Sequence, residues 1–147
     1  MKQQVVLSLQ GTQNYADQEP DTIELVTEGV LEQTEAGWVV SYDESDLTGM
    51  EGVRTSFAME EDRVVLTRTG KLNSQMVFRL GIPHDSLYQM EFGALMITVC
   101  ATDMHWSLSR DGGTVELHYT IEIEQSAAGT VDYLLQIVPK SSAPAEA

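Results

Sequence analysis

The sequence predicts an all-β protein, and more specifically a lipocalin-like antiparallel meander barrel of about eight to ten strands. Apolar and polar residues alternate strictly in segment after segment, as they do between residues 115 and 123. Successive side chains of a strand point to opposite faces, so this pattern indicates a sheet with one dry face and one wet face. Turn-forming residues separate the segments at the short spacing typical of all-β folds. No segment of useful length shows helical periodicity.

The alternation predicts about ten short strands along the chain. The approximate spans are 4–10, 22–32, 37–45, 53–60, 63–70, 75–80, 87–92, 94–101, 104–110, 114–124 and 130–138, and without 87–92, the weakest of these segments, they number ten. Neighbours in sequence can pair almost throughout, and no long crossover connection is visible. A sheet of this many strands with one apolar face tends to close on itself. We therefore favour a barrel, with a two-layer sandwich as the alternative.

Hairpin registers follow from the requirement that apolar residues share one face, because a slip of one residue would expose the whole set. A two-residue turn at 61–62 gives the pairs Met59–Val64, Phe57–Leu66 and Thr55–Arg68. A turn at 111–112, the favoured Asp-Gly type, gives Leu108–Val115, Trp106–Leu117 and Met104–Tyr119. A turn at 102–103 gives Ala101–Met104 and Val99–Trp106.

Length and composition predict one domain over 1–138, followed by a disordered tail over 139–147. A chain of 147 residues with 42% hydrophobic residues can bury a core without disulfide bonds. The tail is rich in Ala, Ser and Pro. Cys100 is the single cysteine, which favours a reducing compartment. The start of the chain resembles no signal peptide and no apolar run is long enough to span a bilayer, so we expect a cytoplasmic location.

The net charge of the chain limits the kinds of partner that it can bind. The formal net charge is −15, from 23 acidic and 8 basic residues. Such a field repels phosphate backbones and anionic lipids, so we expect neither nucleic acid nor membrane as a partner. A homodimer is left open.

Arg68 is the most informative residue of the predicted interior. It follows Val64 and Leu66 in phase, so it points inward with them, and the register places it between Thr55 and Phe78. Extending the register puts Tyr42 beside Thr55, with Glu44 one inward step further along. A guanidinium cannot lose its proton, so inside a barrel it needs an acid, several carbonyls or a ligand anion.

Two interpretations of this group follow. In one, Arg68, Tyr42, Thr55 and Glu44 contact the anionic group of a small amphiphile whose apolar part lies among aromatic side chains, Trp38, Phe57, Phe78 and Trp106. In the other, Arg68 and Glu44 form an internal ion pair near the mouth of the barrel. The second arrangement is the more common one, because buried charges are usually paired.

Two histidines form a second candidate group. The register at 111–112 places His105 directly opposite His118 on the outer face, near acidic side chains. Two imidazoles and a carboxylate could hold zinc, but surface histidine pairs also arise by chance, so no metal site is predicted beyond this weak candidate pair. No catalytic, metal or nucleotide motif stands out, and we predict no catalytic residue and no cofactor.

Several segments spread along the chain form a specific set in order and spacing: Thr27-Glu28-Gly29, Tyr42-Asp43-Glu44-Ser45, Thr48-Gly49-Met50-Glu51-Gly52, Arg68-Thr69-Gly70, Ser74-Gln75-Met76-Val77-Phe78 and Glu91-Phe92-Gly93. These segments resemble those of the YwiB-like family, β-barrel proteins grouped with the calycins. The resemblance covers nearly the whole chain and implies a lipocalin-like barrel, with no particular activity, substrate or cofactor. It also adds residues that recur in the family to the candidate site, namely Glu44, Gly49, Arg68, Gln75 and Phe78.

The sequence therefore favours a barrel that binds a small amphiphilic or anionic ligand, with Arg68, Glu44, Tyr42, Thr55, Phe78 and Gln75 as the predicted binding residues. The alternative is a protein-interaction or structural module with a filled interior, because six inward-pointing aromatic side chains can plug a small barrel. They are Trp38, Phe57, Phe78, Trp106, Tyr119 and Tyr133. An enzyme is the less favoured class.

Overall fold

The computed structural model describes residues 2–15, 19–44, 51–90, 93–124 and 126–140. They form ten β-strands, which are β1 (Lys2–Tyr15), β2 (Asp21–Gln33), β3 (Gly37–Asp43), β4 (Val53–Glu60), β5 (Arg63–Gly70), β6 (Ser74–Phe78), β7 (His84–Met90), β8 (Gly93–Ser109), β9 (Gly112–Ile123) and β10 (Ser126–Pro139). Of the predicted tail over 139–147, Pro139 ends β10 and residues 141–147 lie outside the described residues, as does Gly49. Among the described residues, no helix is long and apolar enough to cross a membrane.

The ten strands form one antiparallel sheet that curls into a nearly closed barrel. The order of strands in the sheet is β6-β5-β4-β3-β2-β1-β10-β9-β8-β7, so every strand pairs with a neighbour in sequence and β1 also pairs with β10. The sheet is therefore a meander in which the first strand, β1, also pairs with the last strand, β10. The predicted lipocalin-like meander barrel is confirmed.

The barrel closes incompletely between β6 and β7, and we call this junction the β6–β7 seam. Within the described part of the chain, its backbone hydrogen bonds are the reciprocal pair between Asn73 and Gln89. Two side chains also bridge it: the Ser86 hydroxyl donates to the Gln75 carbonyl at 2.8 Å, and the Val77 amide donates to His84 Nδ1 at 3.4 Å. By contrast, the ladder between β1 and β10 spans eleven residue pairs.

The alternating apolar residues fill the interior, as the pattern requires. Phe57, Phe78 and Tyr119 are almost completely buried, and Trp38, Trp106 and Tyr133 pack against the same core while remaining partly exposed. The ring of Phe78 lies 4.5 Å from that of Tyr119, measured between centroids, and Phe57 meets Tyr133 edge-on. Such pairs add to the stabilisation from burying their large apolar surfaces.

The β4–β5 hairpin has the predicted register, with Thr55 opposite Arg68. The predicted register of the β8–β9 hairpin is wrong by two residues. Trp106 lies opposite Val115, and the loop consists of Arg110 and Asp111. Gly112 follows with φ of +91°, a backbone conformation that glycine adopts without the steric cost of a side chain. Because the slip is two residues, each side chain still points to the predicted face.

The predicted turn at 102–103 does not exist, because 94–101 and 104–109 belong to the single long strand β8. Thr102 is an extra residue in that strand, at a β-bulge between Ala101 and Asp103. A bulge reverses which residues face inward. The inward set therefore changes from odd-numbered to even-numbered residues at Thr102, and this change of phase suggested a turn.

A third prediction, that Arg68 lies opposite Phe78, is also wrong. Arg68 lies opposite Ser74, and Phe78 lies opposite Val64. The cause is a compact turn between β5 and β6, in which the Asn73 side chain bonds to both the amide and the carbonyl of Gly70. This turn shifts the β5–β6 pairing by four residues from the predicted register. Ser74, not Phe78, therefore lies beside Arg68.

Candidate functional site

Arg68 occupies the interior of the barrel. It is in phase with the buried residues Val64 and Leu66, and only 7% of its surface is exposed. Its neighbours across the strands are Thr55 on β4 and Ser74 on β6. A buried charge without partners costs several kcal/mol, because it has lost its hydration by water. The interior must therefore compensate this guanidinium.

Tyrosine side chains supply part of that compensation. Burial alone lowers the pKa of the Arg68 guanidinium, but the phenols of Tyr133, Tyr88 and Tyr119 outweigh it, and the pKa lies above its usual range. Tyr133 also hydrogen-bonds to the Arg68 side chain. Burial in turn raises the pKa of Tyr88. The guanidinium therefore stays charged, and the groups around it include neutral phenols.

Glu44 is held by two hydroxyl donors. Thr55 Oγ1 donates to Glu44 Oε2 at 2.6 Å, and the Tyr42 phenol hydrogen-bonds to the same carboxylate. Burial, followed by the negative charge of Glu44, raises the pKa of Tyr42 well above its usual range. Tyr42 lies opposite Thr55, as the sequence predicts. The predicted proximity of these three residues is confirmed, while their role in binding stays a prediction.

A cavity of about 250 Å³ opens beside these groups. Its lining combines Tyr42, Glu44, Arg68 and Tyr133 with side chains and backbone from the first two strands, Leu9, Gly11, Gln13 and Ile23. Typical small-molecule pockets measure roughly 300–1,000 Å³, so this one suits a small ligand. The interior is therefore neither an open lipocalin-type chamber nor completely filled.

Gly11 makes room for part of this site. It lies opposite Tyr133, and a Cβ atom at this position would come within 2.8 Å of the Tyr133 ring. A side chain here would push the ring away from Arg68. The glycine therefore sets the position of a phenol that contacts the guanidinium.

The structure does not bring all the predicted binding residues to the cavity. Phe78 is fully buried in the core against Tyr119 and is not among the cavity-lining residues. Gln75 is exposed, because it alternates with the buried Ser74 and Met76. Their predicted role in binding is untested, but Gln75 faces the wrong side of the sheet to meet the interior cavity.

Two buried polar atoms, on residues that pair across β5 and β6, lack a hydrogen-bond partner among the described residues. They are Arg68 Nε and Ser74 Oγ, and each exposes less than 1 Å² of surface. A buried donor without a partner costs about 1–3 kcal/mol. Such groups are rare in native proteins, and each one needs a physical explanation.

A shallow groove lies outside this pair, along the β6–β7 seam. It has a volume of about 490 Å³ and is lined mainly by hydroxyl, amide and carboxylate side chains, including Asn73, Gln75, Asp85 and Gln89. Arg68, Ser74 and Ser86 lie at its base. Arg68 therefore borders both the interior cavity and the outer groove.

The histidine pair differs from its predicted arrangement. His105 lies opposite Glu116, not His118, because of the two-residue shift in the hairpin. Glu116 contacts both imidazoles, at 3.2 Å from His105 and 3.5 Å from His118, and His118 Nδ1 lies 2.6 Å from Asp132. Within the described ranges, no group of three or more His, Cys, Asp or Glu side chains is arranged to hold a metal ion.

This outer cluster has a clear electrostatic effect. The hydrogen bond with Asp132 raises the pKa of His118 above its usual value of 6.5, with a further contribution from Glu116. Hydrogen bonds from both histidines lower the pKa of Glu116. All of these side chains contact solvent, so the cluster is a surface network of charges.

Sequence reasoning missed Ser74, Tyr88 and Gly11 as parts of the site. Ser74 emerges only from the correct β5–β6 register. Tyr88 lies on β7, which approaches Arg68 across the seam that closes the barrel. Tyr133 was predicted to point inward, but only its position opposite Gly11 shows why its ring reaches the guanidinium.

These features define a class of protein: an antiparallel meander barrel with one charged polar cluster beside a small interior cavity. The chain belongs to the family described as "Domain of unknown function (DUF1934)", whose profile matches residues 7–135. No curated protein matches the chain.

The fold is shared with a solved structure, the YwiB protein from Bacillus subtilis. The two chains are 18% identical and superpose with a TM-score of 0.79 over 92% of each chain. The predicted membership of a YwiB-like barrel family is therefore confirmed. At this level of identity, the similarity concerns the fold alone.

Proposed function

We propose that the barrel binds a small amphiphilic molecule in its interior cavity, with an anionic group at Arg68 and an apolar part against Leu9 and Ile23. The observation that carries this proposal is a buried guanidinium that borders the cavity while its Nε has no hydrogen-bond partner among the described residues. The phenols around it offer single hydrogen bonds, and the Glu44 carboxylate in the same cavity already accepts from Thr55 and Tyr42.

An anion would complete this arrangement. Hydrogen bonds between a guanidinium and a carboxylate or phosphate are roughly twice as strong as those between neutral groups, and the planar guanidinium can bind two oxygens at once. In a site shielded from water the attraction is larger than at the surface. Arg68 is therefore the residue from which most of the affinity is expected.

Cavity size limits the ligand. About 250 Å³ leaves space for a short apolar chain or a single ring next to the anionic group. It is too small for a long-chain lipid of the kind that open barrels enclose. The net charge of −15 also disfavours large polyanions.

The proposal is tested with hexanoate and benzoate as probes, by calorimetry and native mass spectrometry of the full chain. We expect Arg68→Met to weaken binding at least tenfold, because it removes the charge and the donors but keeps a side chain of similar length. Arg79→Met is the matched control, since Arg79 is an exposed arginine that contacts Asp62. It should bind as the wild type does.

If Arg68→Met does not fold, Arg68→Lys serves in its place, because it keeps the charge and loses the planar pair of donors. Weaker but measurable binding by this variant supports the proposal. Equal binding by the wild type and the Arg68 variants contradicts it, as does failure of the wild type to bind either probe.

A protein-interaction or structural module is the second candidate function. Leu87 and Met96 lie opposite each other on β7 and β8 and are substantially exposed, as are Leu80 and Ile82 in the preceding connection. Exposed apolar surface of this kind can mark a contact with another protein. A wild-type protein that binds neither probe would favour this candidate.

A further inference from the structure

Arg68 Nε and Ser74 Oγ belong to residues directly opposite each other on β5 and β6, and both side chains point inward. Opposite residues on one face of an antiparallel pair have Cβ atoms about 4.5–5.5 Å apart. One small group can therefore contact both side chains. Neither atom has a hydrogen-bond partner among the described residues, although both residues are more than nine-tenths buried.

We propose that these two atoms form a carboxylate-binding site at the β6–β7 seam, in which one carboxylate oxygen accepts from Arg68 Nε and the other from the Ser74 hydroxyl. This inference rests on the proposed function and identifies both the anionic group and its second donor. Ser74 is the added binding residue. The apolar remainder of the ligand extends past Arg68, which borders both the outer groove and the interior cavity, into the interior cavity.

The surrounding charges select a monocarboxylate over a phosphate monoester. Glu44 lines the interior cavity and Asp85 lines the outer groove, so carboxylates lie on both sides of the site. A second negative charge on the ligand would be repelled by both, and by a net charge of −15 on the whole chain. Two donors also match the two oxygens of a carboxylate.

The seam provides the route to this site. Both atoms are enclosed, so a carboxylate reaches them when β6 and β7 move apart or when the Arg68 side chain turns towards the groove that it borders. Among the described residues, the backbone hydrogen bonds across the seam come from one residue pair, Asn73 and Gln89. Few bonds therefore have to break.

The test compares Ser74→Ala with Ser107→Ala, an exposed serine on β8, using hexanoate, hexyl phosphate and hexanol. We expect wild-type protein to prefer hexanoate to both other probes. Ser74→Ala should weaken hexanoate binding about tenfold, equivalent to ~1.4 kcal/mol. Ser107→Ala should leave it unchanged, and Ser74→Thr, which keeps the hydroxyl, should retain most of the affinity.

A merely structural Ser74 would behave differently. Its substitution by Ala would remove a buried hydroxyl without a partner, so Tm would stay the same or rise while hexanoate affinity stayed constant. That result overturns the inference and leaves the proposed function intact. Equal or tighter binding of hexyl phosphate overturns the carboxylate assignment. Failure of wild-type protein to bind any of the probes overturns the proposed function itself.

Discussion

The barrel carries two polar networks, one inside and one outside, that are built from similar hydrogen bonds. Inside, Thr55 donates to Glu44 at 2.6 Å. Outside, His118 and Asp132 are also 2.6 Å apart, and Glu116 links His118 to His105. Thr55 is completely buried and Glu44 is 7% exposed, whereas 42% of the Glu116 side chain and 73% of the His105 side chain are exposed.

Equal distances therefore do not mean equal contributions to stability. Water replaces a lost partner at the surface, where an ion pair typically contributes less than about 1 kcal/mol. The interior network is more than nine-tenths buried, so we expect the loss of one member to leave the others unsatisfied. We therefore expect that removing one member of the interior network lowers the free energy of unfolding strongly. Removing one member of the outer network should lower it only slightly.

The largest expected effect comes from removing the central carboxylate of each network. Glu44→Ala leaves the hydroxyls of Tyr42 and Thr55 without their acceptor, and we expect it to lower the free energy of unfolding by about 3 kcal/mol. Glu116→Ala should lower it by less than about 0.5 kcal/mol. Urea unfolding of both variants measures the difference.

Similar losses for these two variants would show that water already reaches the interior network. In that case the cavity beside Arg68 would be part of the solvent. The inner and outer networks would then differ in their location but not in their contribution to stability.

A smaller effect is expected from removing a single hydroxyl. Thr55→Val keeps the shape of the side chain but deletes the donor to Glu44, and we expect a loss of about 1–2 kcal/mol. The matched change on the outer face is Thr120→Val, where the hydroxyl donates to the Cys100 carbonyl at 3.5 Å in an exposed position. This variant should lose less than about 0.5 kcal/mol, measured in the same way. A larger loss for Thr120→Val would reverse the predicted order.

The smallest effect concerns the charge on His118. Its pKa is raised in the folded protein, chiefly by the hydrogen bond with Asp132, so protonation favours folding. The resulting stabilisation is complete below the unfolded value of 6.5 and is lost as the pH rises through the raised folded value. NMR titration of the imidazole should show the raised pKa in wild-type protein and a lower one in Asp132→Asn. An unchanged pKa in that variant would show that Asp132 does not cause the shift.

The fold could be predicted from local patterns because each hairpin carries its own signals. The β4–β5 register was predicted correctly, since the two-residue loop between Glu60 and Arg63 leaves one pairing that matches the apolar residues. The bulge at Thr102 was missed because a change of phase in the alternation looks the same for a bulge and for a turn. Strand pairing, not local sequence, distinguishes the two.

The interior site was predictable in part for the same reason. Arg68, Thr55, Tyr42 and Glu44 lie on adjacent strands, so alternation and register bring them together. Ser74 could not be predicted while the β5–β6 turn was misplaced. Tyr88 and Tyr133 approach Arg68 from strands far away in the sequence, through the closure of the barrel, which no local pattern encodes.

The position of the seam has a consequence for self-association. Exposed strand edges are sites where sheets of different molecules can join. Here the two edge strands, β6 and β7, are connected by only five residues, Arg79 to Pro83. Because this connection is short, one strand cannot detach and pair with another molecule unless the other strand moves with it. Ser86 and His84 also occupy hydrogen-bonding positions along these edges. The first and last strands, β1 and β10, are held to each other by a ladder of eleven residue pairs, so neither this junction nor the seam favours strand swapping.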